Sequence, residues 1–382
     1  MAITLRTVTG SALSYLQVDT NFSSFYYSSS ISGSSITFFK TGSVAIGEPP
    51  SSSSITLPLP SKWTDITGGI QRTSLVKVVG PFAQGNTNVS ATGVYSHAQG
   101  DSTTASSTGS HAEGFSSVAS GQYSHAEGRQ TQATEIGTHA EGYLTEASGQ
   151  YSHAEGRDTL ACMTGSHAEG LSTQARGLYS HAEGQETKTI GDYSHAEGYG
   201  SVAIGLWSHA EGNATSASGE RSHAEGNHTV ASGQYSHAEG ETAIARGRAS
   251  HAEGTGAQSI GEYSHAEGSG TISSGSYSHA EGNSTQAIGY GSHAEGLITN
   301  AIGEFSHAEG TFTQAIGNYS HTEGIGTVAS GSLQHVQGRW NIPSPDTSAF
   351  IIGNGEFGSE SNLLFASGTQ VQITGSLRVS GS

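Results

Sequence analysis

One cysteine, two methionines and three tryptophans in 382 residues leave little with which to fill a conventional interior. Cys162 has no intrachain partner, so oxidative crosslinks do not hold this fold. The seven prolines stand at 49, 50, 58, 60, 81, 343 and 345, and the stretch 82–342 has none. A long hydrogen-bonded ladder needs that gap, because proline removes a donor. Charged residues reach only 12%, against roughly a quarter in ordinary domains. They are also unequal, 32 acidic to 14 basic, for a formal charge of −18. Such a chain repels phosphate backbones and anionic lipid, so no nucleic-acid partner is expected. No run approaches the roughly 18 apolar residues of a membrane span. The opening MAITLRTVTGSALSYLQ lacks the continuous apolar core of a secretion signal. We therefore expect no membrane insertion and synthesis as a soluble cytoplasmic chain.

Glycine is abundant, at 55 residues, about twice the usual share. Histidine recurs at 97, 111, 125 and every fourteenth position up to 335, giving 18 copies of a unit close to S-H-A-E-G-x-x-T-x-A-x-G-x-Y. Only His228 falls outside the series. A coiled coil is excluded, because glycine in every unit costs roughly 1 kcal/mol per site in a helix. Collagen is excluded because glycine does not recur at every third position. Within the unit Ser, Ala and Gly alternate with His and Glu, and then Thr, Ala and Gly alternate with mixed residues. Each unit thus predicts two short strands with one small-residue face apiece, packed back to back around a narrow interior. At roughly 4.8 Å per coil, 18 coils make a rod about 85 Å long. The fold class expected is all-β, a parallel β-roll of 14-residue repeats. So thin a roll buries little per chain, which points to several chains sharing an axis.

The flanks differ. In 1–37, Ser14 with Gln17 fits a capping box, and Leu13, Leu16, Val18, Phe22, Phe25 and Tyr26 pattern a short amphipathic helix suited to docking on a partner. The Ser/Pro-rich 38–81 reads as strands and linker, 82–338 is the roll, and 339–382 forms a small β cap. In that cap, Val371-Gln372-Ile373-Thr374 alternates in the manner of a strand.

The 18-fold His-x-Glu invites a metal reading, since imidazole and carboxylate suit first-row ions. The plainer reading is a hydrogen-bonded ladder on a subunit interface, pairing His125 with Glu127, His153 with Glu155, His181 with Glu183, His209 with Glu211, His237 with Glu239, His265 with Glu267 and His293 with Glu295. Sixteen of the 32 acidic residues belong to this row, and they would repel one another without donors beside them. On that reading no cofactor or metal is needed. Catalysis fails at the Ser-His pair, because strand neighbours point to opposite faces. An enzyme is not expected. A polysaccharide-cleaving spike is the enzymatic alternative, but an array without insertions offers no groove. Two residues before histidine stand Tyr95, Tyr123, Tyr151, Tyr179, Tyr193, Trp207, Tyr235, Tyr263, Tyr277, Phe305 and Tyr319, placed by parity on the face of His and Glu. Such a column either stacks adjacent coils or stacks on sugars. A Thr row including Thr285, Thr299 and Thr313 raises ice binding as a minor reading.

The stretch Ser201-Val202-Ala203-Ile204-Gly205-Leu206-Trp207-Ser208-His209-Ala210-Glu211-Gly212 resembles the SVAIGxxSxAxG head repeat of trimeric adhesins of the YadA type. The resemblance covers roughly 82–338 and implies a left-handed parallel β-roll assembled as a trimer. The SHAEG version is similar to arrays in phage tail fibres and spikes. The segment Gly10–Phe22 is similar to an N-terminal segment of virion proteins, and Ala349–Gly355 to the strand that follows such arrays. These resemblances imply a phage fibre or spike protein assembled into the virion, attached to other virion proteins through its N-terminus and contacting a host-surface glycan or protein. The alternative is a passenger fragment of a bacterial trimeric autotransporter adhesin.

Overall fold

A computed structural model describes the strands Ser28–Ser32, Ser35–Thr41 and Ser52–Pro58, and residues 81–376 apart from 87 and 369. The chain divides into two units, Met1–Lys77 and Val78–Ser382. In the first, the three strands pair antiparallel in sequence order. The expected docking helix, with Leu13, Leu16, Val18, Phe22, Phe25 and Tyr26, lies outside the described residues.

The second unit is a parallel β-solenoid of about 19 turns with 14-residue periodicity. Each turn contributes a long strand, such as His125–Arg129, and a short one, such as Gln132–Ala133. Every strand pairs with its equivalent one coil away, so His125 faces His139 and Ala133 faces Ala147. Two ladders result, of long strands from Phe82–Gly85 to Phe350–Asn354, and of short strands from Ser90–Ala91 to Val328–Ala329. Between them lie Ala126 and Ala133, Ser124 and Thr131 and their equivalents, all fully or almost fully buried. The interior is thus about one methyl group deep on each side, which is why no larger residue recurs there. The Thr row belongs to this interior, so Thr285, Thr299 and Thr313 cannot face ice.

Two serine and threonine rows behave differently. The serine before each long strand closes the preceding turn; Ser124 Oγ donates to the Gly121 carbonyl at 2.7 Å. Most threonine hydroxyls before the short strands, Thr271 and Thr285 among them, are buried with no hydrogen-bond partner. Threonine serves here for its β-branched shape, at the expense of an unsatisfied hydroxyl.

Turning corners so tight takes backbone that L-residues usually avoid. Positive φ recurs at the glycine three residues after each histidine, from Gly100 to Gly338, at the residue two further on, and at the residue two before histidine. At the first, a side chain is impossible: a Cβ on Gly226 (φ +109°) would lie 2.2 Å from the Gly240 carbonyl oxygen of the next coil. At the other two, the corner projects outward and most side chains are accepted, including Ser116, Leu144 and Tyr123. His228, the histidine outside the series, occupies such a corner.

The final coil swaps small residues for amides. Gln334 stands at the serine position and Asn341 at the threonine position, both buried. Gln334 Nε2 donates to the carbonyls of Ser344 and Asp346. Asn341 Oδ1 accepts from the Val328 N–H at 2.7 Å and its Nδ2 donates to the Val328 carbonyl. The side chains thereby replace the short strand that the Pro343 and Pro345 segment cannot supply. Beyond it, Asn362–Ser367 and Gln370–Ile373 add antiparallel strands that end the long-strand ladder, and Val336, Ile351 and Phe365 thicken the core.

Two outcomes follow from this interior. Gly226→Ala should abolish or severely reduce folding yield, whereas Gly200→Asn, at a corner whose nearest atom to an added Cβ is 4.0 Å away, should leave the melting temperature within a few degrees of wild type by circular dichroism. Thr271→Val with Thr285→Val should raise stability by about 1 kcal/mol or more in chemical denaturation, because each removes an unpaired buried hydroxyl while keeping its shape.

Candidate functional site

Identical residues in register become rows on the outside of the roll. On the long-strand face the imidazoles form a continuous stack: His125 and His139 lie 4.8 Å apart between ring centroids, His209 and His223 4.7 Å, His265 and His279 4.8 Å, with nearly parallel planes. The spacing is that of the coils, so the backbone ladder imposes it.

Each carboxylate stands beside this stack. His125 Nε2 lies 3.5 Å from Glu127, His153 3.7 Å from Glu155, His181 3.5 Å from Glu183, His209 3.9 Å from Glu211, His237 3.6 Å from Glu239 and His265 4.0 Å from Glu267. From Glu295 onward the carboxylate turns to the following coil, pairing with His307 at 3.5 Å, and Glu309 and Glu323 do the same with His321 and His335. None of these contacts is a hydrogen bond, and the Nε2 atoms of His125, His153, His181, His209, His237, His265 and His293 are shielded from solvent without a partner. Of the seven expected pairs six are brought together, as a stack of rings flanked by carboxylates and not as a hydrogen-bonded ladder. His293 and Glu295 are not paired, because the Glu295 carboxylate turns to His307 of the next coil. Glu281, Glu295, Glu309 and Glu323, with the intervening glycines, line an open acidic groove of about 480 Å³.

Burial first, and the neighbouring imidazole second, hold His125, His153, His209, His265 and His293 below the ordinary value of 6.5, against the opposing pull of the carboxylates. His181 is lowered by the same causes, with imidazoles on both sides. These rings are therefore neutral at pH 7. Ser124 and its equivalents point inward to turn carbonyls, so no Ser-His pair is assembled on this face.

The aromatic residues do not share this face. Their φ near +55° breaks the strand alternation on which the parity argument relied, and places them at an exposed corner. Tyr179, Tyr193 and Trp207 stack there, as do Tyr263 with Tyr277 and Phe305 with Tyr319. Arg221 lies between Trp207 and Tyr235, 4.3 Å and 5.3 Å from the two rings. Tyr123 and Tyr151 instead lie over Gly109 and Gly137 of the preceding coils, where a Cβ would come within 2.8 Å of the ring. This accounts for the units in which glycine replaces the aromatic residue: the next ring occupies its space.

A third surface escaped sequence reasoning. On the short-strand face, an aliphatic side chain stands at one or other of two positions two residues apart in all but one coil from Ile190 to Val328; Val202 and Ile204 fill both in one coil, and Ser216 and Ser218 leave the next without one. Ile190, Ile204, Ile260, Ile288, Ile302 and Ile316 take the second position and are between 39% and 50% exposed. Val230, Ile244, Ile272 and Val328 take the first, with Ser232, Arg246, Ser274 and Ser330 at the second. Gln258, Gln286 and Gln314 fill the first position when isoleucine holds the second. The signal was present as this complementarity, which position-by-position averaging erases.

Residues 167–351, a little under half of the chain, match a family described as "Family of unknown function (DUF5585)". A search of curated proteins gives no match.

Lowered imidazole values give the stability a sign with pH. The contribution of these histidines is fully present above 6.5 and is lost as pH falls below it, since the unfolded chain then binds more protons than the stack does. Thermal melts in chelator-containing buffer should show a lower melting temperature at pH 5.5 than at pH 7.5. His→Asn at His125, His153, His209 and His265 should reduce that difference; an unchanged pH dependence would remove the stack as its source.

Proposed function

We propose that this chain is a structural and adhesive fibre subunit of a bacteriophage virion, assembled as a homotrimer. Residues 1–37 would attach it to other virion proteins, and the rod would extend to contact a host-surface glycan or protein. The observation that carries the assembly is the zigzag aliphatic stripe. A stripe renewed in nearly every coil from Ile190 to Val328 is matched along that stretch only by a partner with the same rise, and another copy of this chain is such a partner. The short-strand face then meets the axis, and the long-strand face and aromatic corner face outward. Stacked tyrosines with a guanidinium between Trp207 and Tyr235 suit sugar faces and polar hydroxyls, which supports the adhesive role. The repeat's resemblance to phage fibre arrays supports the virion setting. No catalytic step is part of this reading. The runner-up is a bacterial trimeric adhesin passenger, which the SVAIG-like Ser201–Gly205 favours.

Light scattering or native mass spectrometry of the soluble protein should show three chains. Ile288→Asp, Ile302→Asp and Ile316→Asp together should dissociate them, whereas His→Asn in the corresponding coils should not. A stable monomer would overturn the assembly, and dissociation by the histidine set alone would move the interface to the long-strand face. Deleting residues 1–37 should leave the rod folded and trimeric but prevent its incorporation into particles.

A further inference from the structure

The stack of unpartnered imidazoles needs an explanation that hydrogen bonding does not give. Buried polar nitrogens almost always have partners, and here one is missing in coil after coil. Most lack a partner on the side where a carboxylate oxygen stands about 3.5–4.0 Å away, as between His181 and Glu183 or His265 and Glu267. That separation is too long for a good hydrogen bond. It is, however, about the distance between two ligands of one ion held at roughly 2.0–2.2 Å from each. The next coil brings a second imidazole nitrogen, so that His167, Glu169 and His181 present three ligand atoms within 4.8 Å of one another. The sets His181, Glu183, His195 and His209, Glu211, His223 repeat the arrangement, as do further coils.

We propose that the His/Glu column is a linear array of binding sites for divalent cations of the zinc class. Each ion is held by imidazoles from two consecutive coils and the carboxylate between them, with water completing the shell. Two imidazoles and a carboxylate favour zinc, nickel or copper over magnesium and calcium, which prefer all-oxygen shells. Consecutive sets share a histidine, and one Nε2 serves one ion. Neighbouring sets therefore exclude each other, and occupied sites fall on alternate pairs, one ion per two coils. Parallel rings 4.7 Å apart point their nitrogens side by side, so two of them reach one ion only by turning toward each other and closing to the roughly 3.4 Å between ligands of a tetrahedral ion, a rotation that side chains about one-third exposed can make on a fixed backbone. The ions would also offset the row of carboxylates that gives the chain much of its negative charge. The proposal goes beyond the fibre reading and holds for each chain separately.

Calorimetric titration of the chelator-stripped, full-length protein with zinc chloride tests it, with magnesium chloride as the control. Zinc should saturate at about one ion per two coils and raise the melting temperature, and magnesium should do neither. X-ray absorption of the zinc-loaded protein should show imidazole scattering. Glu183→Gln, Glu197→Gln, Glu211→Gln and Glu225→Gln together keep side-chain shape, and should weaken zinc in those coils at least tenfold. Zinc bound without imidazole scattering, zinc matched by magnesium, or saturation at a single ion per chain would each overturn the proposal. If the quadruple variant misfolds, the stoichiometry and absorption spectrum of the wild-type protein still decide.

Discussion

Up to the last coil the two β-ladders are separated by nothing bulkier than threonine and cannot be joined by ordinary turns, and this narrowness governs the rest of the structure. Consecutive coils approach until a glycine Cα lies against the next carbonyl, and three positions in each coil take positive φ. The backbone pays a conformational cost at the non-glycine corners that the repeated ladder bonds must offset; His125 N–H to the Thr138 carbonyl at 2.8 Å is one such bond. A side chain larger than threonine in the interior would part the ladders over its own coil and both neighbours. Inside the roll size is the first requirement, with the serine hydroxyls also closing turns. Chemistry is pushed to the outside, where strict register turns every residue type into a row.

Rows behave differently from sites. A single imidazole beside a carboxylate is an unremarkable surface pair worth little. Repeated at coil spacing, an imidazole such as His181 is also covered by the rings above and below it, and burial together with those neighbours lowers its pKa. The same repetition makes carboxylate orientation collective: pairing lies within the coil up to Glu281 and turns to the next coil from Glu295. Two orientations of nearly equal length, 3.7 Å and 3.5 Å, mean that the imidazole does not lock the carboxylate. A donor or ion arriving from outside thus meets a ligand free to reorient.

Much of this was legible in the sequence, because period and parity are direct physical consequences of a solenoid. The fourteen-residue histidine spacing gave the coil, and alternation of Ser, Ala and Thr gave the interior to the residue: Ala126, Thr131 and Ala133 are all buried. Parity failed at the corners. Tyr123 at φ +58° breaks the two-residue alternation, and nothing in a tyrosine announces a left-handed backbone, which usually calls for glycine or asparagine. The His-Glu pairing was read as hydrogen bonding because two residues apart on a strand means the same face. Ring stacking, which fixes where Nε2 points, depends on the neighbouring coil and is invisible in one unit. The aliphatic stripe was missed for a related reason, being conserved as a surface while alternating between Ile244 and Ile260 as a position.

The ends obey a different logic, and it explains why the last coil departs from the repeat. In a solenoid each turn satisfies its neighbours' backbone, so stability is a sum of equal increments and an open end is where unpaired groups collect. At Val328 the short-strand ladder stops, leaving a backbone N–H and carbonyl facing the next layer. Asn341 bonds both, doing with one amide what the next strand would have done. Gln334 plays the equivalent part toward Ser344 and Asp346, and the antiparallel strand Asn362–Ser367 covers the long-strand edge, where another parallel coil could have added. A chain built from 14-residue increments has no internal reason to stop at a given length. At this end the array is closed where two buried amides replace a serine and a threonine and an antiparallel strand covers the remaining edge.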